Sequence, residues 1–150
     1  MIVPGFVNAH SHIEYACYAG FGDGLPFGPW IAMHILRKQR LDDELRIARD
    51  IQKSLLPTEP PRMNGLGIAD LCEPAREVGG DYYDFFELGP RRLGVMIADV
   101  SGKGTSAALY MAELKGLMLS LSGRERSPRQ LLIEANRLLS AHLDNRSFIT

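Results

Sequence analysis

The short breaker Gly89-Pro90-Arg91-Arg92 lies between two strand-like runs, 82–88 and 93–98. Aromatic and branched residues favour extended backbone in both runs, and glycine with proline favours reversal between them. A symmetric hairpin centred on Pro90 pairs residues whose numbers have a constant sum, so Leu88 is expected opposite Arg92 and Asp81 opposite Asp99. Directly opposed side chains in an antiparallel pair have Cβ atoms about 4.5–5.5 Å apart, where like charges repel. Two readings of the acidic pair follow. Either the carboxylates sit at a solvated, fraying hairpin end, or a hard divalent cation with oxygen ligands (Mg²⁺, Mn²⁺ or Ca²⁺) offsets their repulsion.

The second run, Leu93-Gly94-Val95-Met96-Ile97-Ala98, is continuously apolar, which predicts burial on both faces and a central place in a sheet. Asp99 then ends a buried strand. Val100-Ser101-Gly102-Lys103-Gly104-Thr105-Ser106 follows, small and glycine-rich, and leads into a helical pattern over 107–121. Backbone of this kind approaches a ligand closely. It is not a P-loop, because Gly104 follows Lys103 where Ser or Thr is required and Ile97 stands where the first glycine belongs.

Three ordered blocks carry a family resemblance: Ala48-Arg49-Asp50-Ile51-Gln52-Lys53-Ser54-Leu55-Leu56-Pro57, Glu77-Val78-Gly79-Gly80-Asp81-Tyr82-Tyr83-Asp84, and Ile97-Ala98-Asp99-Val100-Ser101-Gly102-Lys103-Gly104. Together they resemble the bacterial stage-II-sporulation-E branch of the PPM (protein phosphatase 2C-like) phosphatases, over roughly 41–150. The resemblance implies an α+β fold, a PPM-type β-sandwich flanked by helices and preceded by a long linker helix. It implies a two-metal site for Mn²⁺ or Mg²⁺, with Asp81 and Asp99 as metal aspartates and the main-chain carbonyl of Val100 as a further ligand. Asp84 receives no metal role and is read as a local, structural hydrogen-bonding carboxylate. The implied reaction is metal-assisted hydrolysis of a phosphoserine or phosphothreonine monoester on a regulatory partner protein such as an anti-sigma-factor antagonist. No residue is assigned as an acid, base or nucleophile.

The same resemblance implies later aspartates that these 150 residues do not contain. The expectation is therefore a partial domain with an incomplete metal shell, weakly active or inactive. Phe148-Ile149-Thr150 reads as the opening of a strand, with a sheet edge left open beside it.

The opening residues differ in character. Pro4-Gly5-Phe6-Val7-Asn8-Ala9-His10-Ser11-His12-Ile13-Glu14, and the stretch onward to about residue 40, resemble the first metal-binding strand of the amidohydrolase superfamily. Period-two spacing places His10 and His12 on one face of a strand, where both imidazoles reach one ion. A TIM barrel takes about 250 residues and builds its site from several strand ends, so the pair is read as a vestigial metal motif. His34 and His142 fall in helical patterns and are expected at the surface or at a boundary. The chain thus reads as three segments: 1–29 amidohydrolase-like, 30–57 a linker helix, and 58–150 the N-terminal part of a PPM-type domain, a junction of two unrelated pieces.

The linker helix is expected over 30–56, free of internal proline. Leu41, Leu45, Ala48, Gln52 and Leu55 recur at alternating spacings of four and three, a heptad-like seam. That seam serves either a homodimer, as the resemblance implies, or packing on its own domain. Ala107, Ala108, Met111, Leu114, Leu117, Met118 and Leu121 form one core stripe, and Leu131, Leu132, Ala135, Leu138 and Leu139 another.

Composition sets outer limits. A net charge of -1 gives no general pull toward nucleic acid or membrane. Two cysteines, Cys17 and Cys72, are too few for a disulfide scaffold or cysteine zinc site, which makes a reducing cytoplasm the default. No signal-peptide pattern or bilayer-length apolar run is present. Three functions of different class remain: a metal-dependent protein phosphatase, an amidohydrolase-type hydrolase fragment, and a noncatalytic dimerising regulatory segment.

Overall fold

The computed structural model describes residues 24–74, 77–124, 127–143 and 146–150. The chain divides into two compact units, Met1–Glu44 and Leu45–Thr150. Among the described residues the elements run α1 (Phe27–Leu55), β1 (Asp81–Gly89), β2 (Arg92–Asp99), α2 (Thr105–Ser122) and α3 (Pro128–Leu139). The result is a mixed helix-and-strand fold of one antiparallel pair and three helices.

The long helix forms where expected and begins slightly earlier, at Phe27. Pro29 is accommodated because the first-turn N–H groups have no intrahelical acceptor. Pro57 follows the last turn and prevents continuation. Within the seam, Leu45, Ala48, Gln52 and Leu55 are half-buried, whereas Leu41 is exposed. His34 departs from its expected surface position: it is fully buried, with its ring centroid 4.2 Å from that of Trp30. The imidazole lies against the indole at an interplanar angle of 57° and packs as an aromatic, which its helical neighbours in sequence did not reveal.

β1 and β2 pair with Asp81 opposite Asp99, Tyr83 opposite Ile97 and Phe85 opposite Val95. At the turn the expected register fails by one residue. The ladder shifts between Glu87 and Gly89, so Arg92 faces Gly89 and not Leu88. Pro90 and Arg91 then form the two-residue reversal, with Arg91 at φ 61 in the left-handed region. Proline followed by a left-handed residue is the type II combination, and one extra residue in β1 restores the twist that such a turn disturbs.

Alternation sorts the hairpin into two faces. Tyr82, Phe86, Met96 and Ala98 pack inward on Met111, Leu114 and Met118 of α2, joined by Ala135 and Leu139 of α3. The outward face carries Asp81, Tyr83, Phe85, Val95, Ile97 and Asp99. Here the expectation of a doubly buried central strand is overturned: Val95 is 60% and Ile97 81% exposed. Among the described residues, helices cover the inward face and leave Val95 and Ile97 uncovered. A single two-stranded sheet is present among these residues with helices on one face, which agrees with the expected α+β class and does not form the β-sandwich expected from the resemblance.

Residues 148–150 do extend the ladder. Ile149 bridges Val100, and Asp99 exchanges both backbone hydrogen bonds with Thr150, at 2.8 and 3.0 Å. The α2 stripe is buried as expected at Ala107, Met111, Leu114 and Met118. In α3, Leu132 leaves the expected stripe and is exposed, because only the side of Ala135 and Leu139 meets α2.

Candidate functional site

The open end of the hairpin places the two sequence-selected aspartates together. Asp81 begins β1, Asp99 ends β2, and their Cα positions are paired directly on the outward face. Both are exposed. Asp99 is held from its other side by Thr150, whose backbone and Oγ1 hydroxyl both address the Asp99 main chain. Its carboxylate therefore projects from a strand tied on both edges.

The third expected donor is the carbonyl of Val100, a residue buried beneath the hairpin end. Val100 N–H donates to the Gly80 carbonyl at 3.3 Å. A Cβ placed on Gly80 would lie 2.5 Å from the Val100 carbonyl oxygen, 3.1 Å from Val100 Cβ and 3.3 Å from Ala107 Cβ. No side chain fits there. Glycine before Asp81 is thus required by close approach to the backbone that follows Asp99, and the three donors are coupled through that contact. Beyond them, Gly102 at φ 101 and Gly104 at φ 75 adopt conformations that other residues resist, and Gly104 leads directly into α2.

The donor set consists of two carboxylates and one carbonyl, all hard oxygens of the kind Mg²⁺ and Mn²⁺ prefer. In donor type, and in the direct pairing of Asp81 with Asp99, these residues fit part of such an ion's shell. Among the described residues no group of three or more His, Cys, Asp or Glu side chains is arranged to hold a metal. His10 and His12, the second metal motif, lie outside the described residues. His142 approaches Glu113 at 3.1 Å on the surface and joins no site.

A depression of about 720 Å³ lies between the outward face and the segment that precedes β1. Asp70, Cys72, Asp81, Asp99 and Thr150 supply its polar wall, and Leu71, Val95 and Ile97 its apolar one. Tyr83 donates to Asp70 at 2.6 Å, and burial followed by this bond pushes its phenol up to about 12 from 10.0. Burial, then the Asp81 carboxylate, raises the Cys72 thiol. Asp70, Cys72 and Tyr83 were missed by sequence reasoning. Segment 66–73 has no periodic pattern to place it, and only the tertiary fold brings it beside the hairpin.

Asp84 fills the structural role expected of it, on the inward face. It is 5% exposed, accepts from Tyr82 Oη at 2.8 Å, from Lys115 Nζ at 2.7 Å and, through Oδ1, from the Phe85 N–H at 2.9 Å. Burial raises the Tyr82 phenol, and the hydrogen bond to Asp84 adds to the shift. Asp84 and Asp81 therefore separate by face: the former holds α2 to the sheet, and the latter is available to a ligand.

Residues 89–150 match the family described as Stage II sporulation protein E (SpoIIE). The chain is 37% identical over 113 residues, 75% of its length, to phosphoserine phosphatase RsbU of Bacillus subtilis, and this covers 33% of that protein. It is 33% identical over 102 residues, 68% of its length, to phosphoserine phosphatase RsbP of the same organism, covering 25% of it. A shorter stretch of 35 residues, 23% of the chain, is 40% identical to 5'-deoxyadenosine deaminase of Methanococcoides burtonii, covering 8% of that protein. The chain thus spans a third or less of the length of the curated relatives it matches.

Proposed function

We propose that the chain supplies part of a metal-dependent protein serine/threonine phosphatase that hydrolyses phosphoserine on a regulatory protein partner, with an anti-sigma-factor antagonist as the partner class. The observation that carries this reading is the register of Asp81 against Asp99, bordered by the Val100 carbonyl, in a chain similar to two phosphoserine phosphatases.

In this reading Asp81, Asp99 and the Val100 carbonyl hold Mn²⁺ or Mg²⁺. When bound, such ions lower the pKa of a coordinated water and balance charge on the phosphoryl oxygens. The chain's own residues provide negative charge at a fixed spacing, and the glycines at 102 and 104 leave room at the backbone for a phosphate group. With no third acidic side chain joining the pair among the described residues, these 150 residues alone are expected to turn over weakly or not at all.

The uncovered outward face supports the rest of the reading. Val95 and Ile97 leave an exposed apolar sheet face of the kind a second sheet covers, which supports reading 58–150 as part of a PPM-type domain and 30–57 as its linker. Exposed Leu41, Ile47 and Ile51 on α1 support a homodimer through that helix. No helix of the described residues is long and apolar enough to cross a membrane, and a cytoplasmic setting belongs to the same proposal.

Titration with Mn²⁺ tests the assignment. Weak binding, on the order of millimolar, is expected in the unaltered chain and is lost in both Asp81→Ala and Asp99→Ala. Phosphate release from a phosphoserine peptide, where measurable, is expected to need Mn²⁺ or Mg²⁺ and to vanish in Asp99→Ala. Binding that survives in both variants, or turnover indifferent to metal, overturns the reading.

A further inference from the structure

Two consecutive glycines precede Asp81, and glycine has the most conformational freedom of any residue. Left to themselves, Gly79 and Gly80 would let the Asp81 carboxylate swing relative to Asp99. Gly80 is confined by its approach to Val100. Gly79 lies outside the strand ladder, and its backbone groups find their partner elsewhere. The Gln52 side-chain amide donates to the Gly79 carbonyl at 2.7 Å, and its Oε1 accepts from the Gly79 N–H at 3.0 Å. One side chain thereby satisfies both polar groups of one peptide residue, as a neighbouring strand would.

Supporting contacts surround this clamp. Pro74 lies under Gly79, where an added Cβ would come within 3.2 Å of the proline Cβ. One helical turn before Gln52, Arg49 reaches Glu77 at 3.3 Å across an exposed edge. A small cavity of about 20 Å³ is bounded by Gln52, Cys72, Pro74, Gly79 and Asp81, so the Cys72 thiol lies at the clamp and beside the carboxylate. The clamp also accounts for a polar residue in the otherwise apolar seam of α1: Gln52 faces its own domain because Gly79 is there.

We propose that Gln52 is a positioning residue for Asp81, holding the Gly79-Gly80 hinge in the conformation that sets Asp81 opposite Asp99. Its consequence for metal binding rests on the phosphatase reading above, whereas its consequence for the hinge does not. Removing the amide frees Gly79, two residues before the Asp81 carboxylate, leaves Gly80 held from one side only, and loosens the spacing of the Asp81–Asp99 pair. Groups that orient a metal ligand from behind are worth about 10–100-fold in metal affinity.

The test uses the whole chain with Gln52→Leu, which keeps bulk and removes both bonds, and Gln52→Glu, which still accepts from the Gly79 N–H. Lys115→Met serves as a control that lowers stability without touching the clamp. Two quantities are read: Mn²⁺ affinity, from paramagnetic broadening of backbone amide signals, and the alkylation rate of Cys72 by iodoacetamide, separated from Cys17 by peptide mass. Gln52→Leu is expected to weaken Mn²⁺ binding at least about tenfold and to speed Cys72 alkylation. Gln52→Glu is expected to fall between it and the parent, and Lys115→Met to leave Mn²⁺ affinity unchanged. Should Gln52→Leu not fold, Gln52→Glu carries the comparison. Unaltered Cys72 reactivity in the Gln52 variants overturns the proposal, as does a loss of Mn²⁺ affinity shared equally by Lys115→Met. If Asp81→Ala leaves the Mn²⁺ response untouched, the metal reading fails separately, and Cys72 reactivity alone decides whether Gln52 holds the hinge.

Discussion

Lys115→Met isolates the contact that joins α2 to the sheet. In the parent chain Lys115 Nζ lies 2.7 Å from Asp84 Oδ2, with side-chain exposures of 14% and 7%. The substitution nearly preserves the apolar stem and deletes the charge. Asp84 then keeps the Tyr82 hydroxyl at 2.8 Å and the Phe85 N–H at 2.9 Å, but both donors are neutral. Breaking a buried pair from one side leaves an uncompensated charge and costs about 3–5 kcal/mol, against about 0–1 kcal/mol for an exposed pair. With a urea dependence of about 1–3 kcal/mol per molar, the unfolding midpoint should fall by at least about 1 M. Ellipticity at 222 nm is the appropriate signal, since Trp30 lies in the other compact unit. The double variant Asp84→Asn with Lys115→Met removes the stranded charge while keeping an acceptor for Phe85, and should recover more than half of the loss. A single-variant cost below about 1 kcal/mol would refute the reasoning, because it would place the pair with solvent-exposed ones.

Two further outcomes are expected. Gly80→Ala inserts a Cβ 2.5 Å from the Val100 carbonyl oxygen, so backbone must move; a stability loss of about 1–3 kcal/mol in urea unfolding should accompany shifted amide resonances at Asp81 and Val100. Tyr83 has a phenol raised to about 12, so its protonated, Asp70-bound form is favoured by folding; this stabilisation is complete below pH 10 and lost as pH rises from 10 to about 12. Phenolate absorbance should show this late ionisation, and Asp70→Asn should bring it earlier.

The hairpin was legible because its determinants are local. Gly89-Pro90 marks the reversal, period two assigns partners, and counting from the turn sets Asp81 against Asp99. That pairing survived an error of one residue at the turn, since the bulge falls beyond Glu87 and leaves the rest of the ladder in register. The α2 stripe was legible for the same reason: Met111, Leu114 and Met118 follow the helical repeat. Less was legible where a residue's role depends on a distant partner. Asp84 differs from Asp81 only by three positions in sequence, and nothing local names Lys115, which is 31 residues away. Gln52 was noted as a seam residue, yet its partner Gly79 is 27 residues on. His34 carried no sign of burial, because its environment is made by packing and not by its own repeat.

By itself, then, the sequence determined the strand pairing, the helix spans and the facing of two aspartates, since turn chemistry and side-chain period act within a few residues. Only the tertiary structure decided which face of the hairpin is buried. β2 is apolar on both sides, so its composition left that choice open; α2, docking through Met111, Leu114 and Met118, resolved it toward Tyr82 and Ala98 and left Val95, Ile97 and the aspartate pair facing outward.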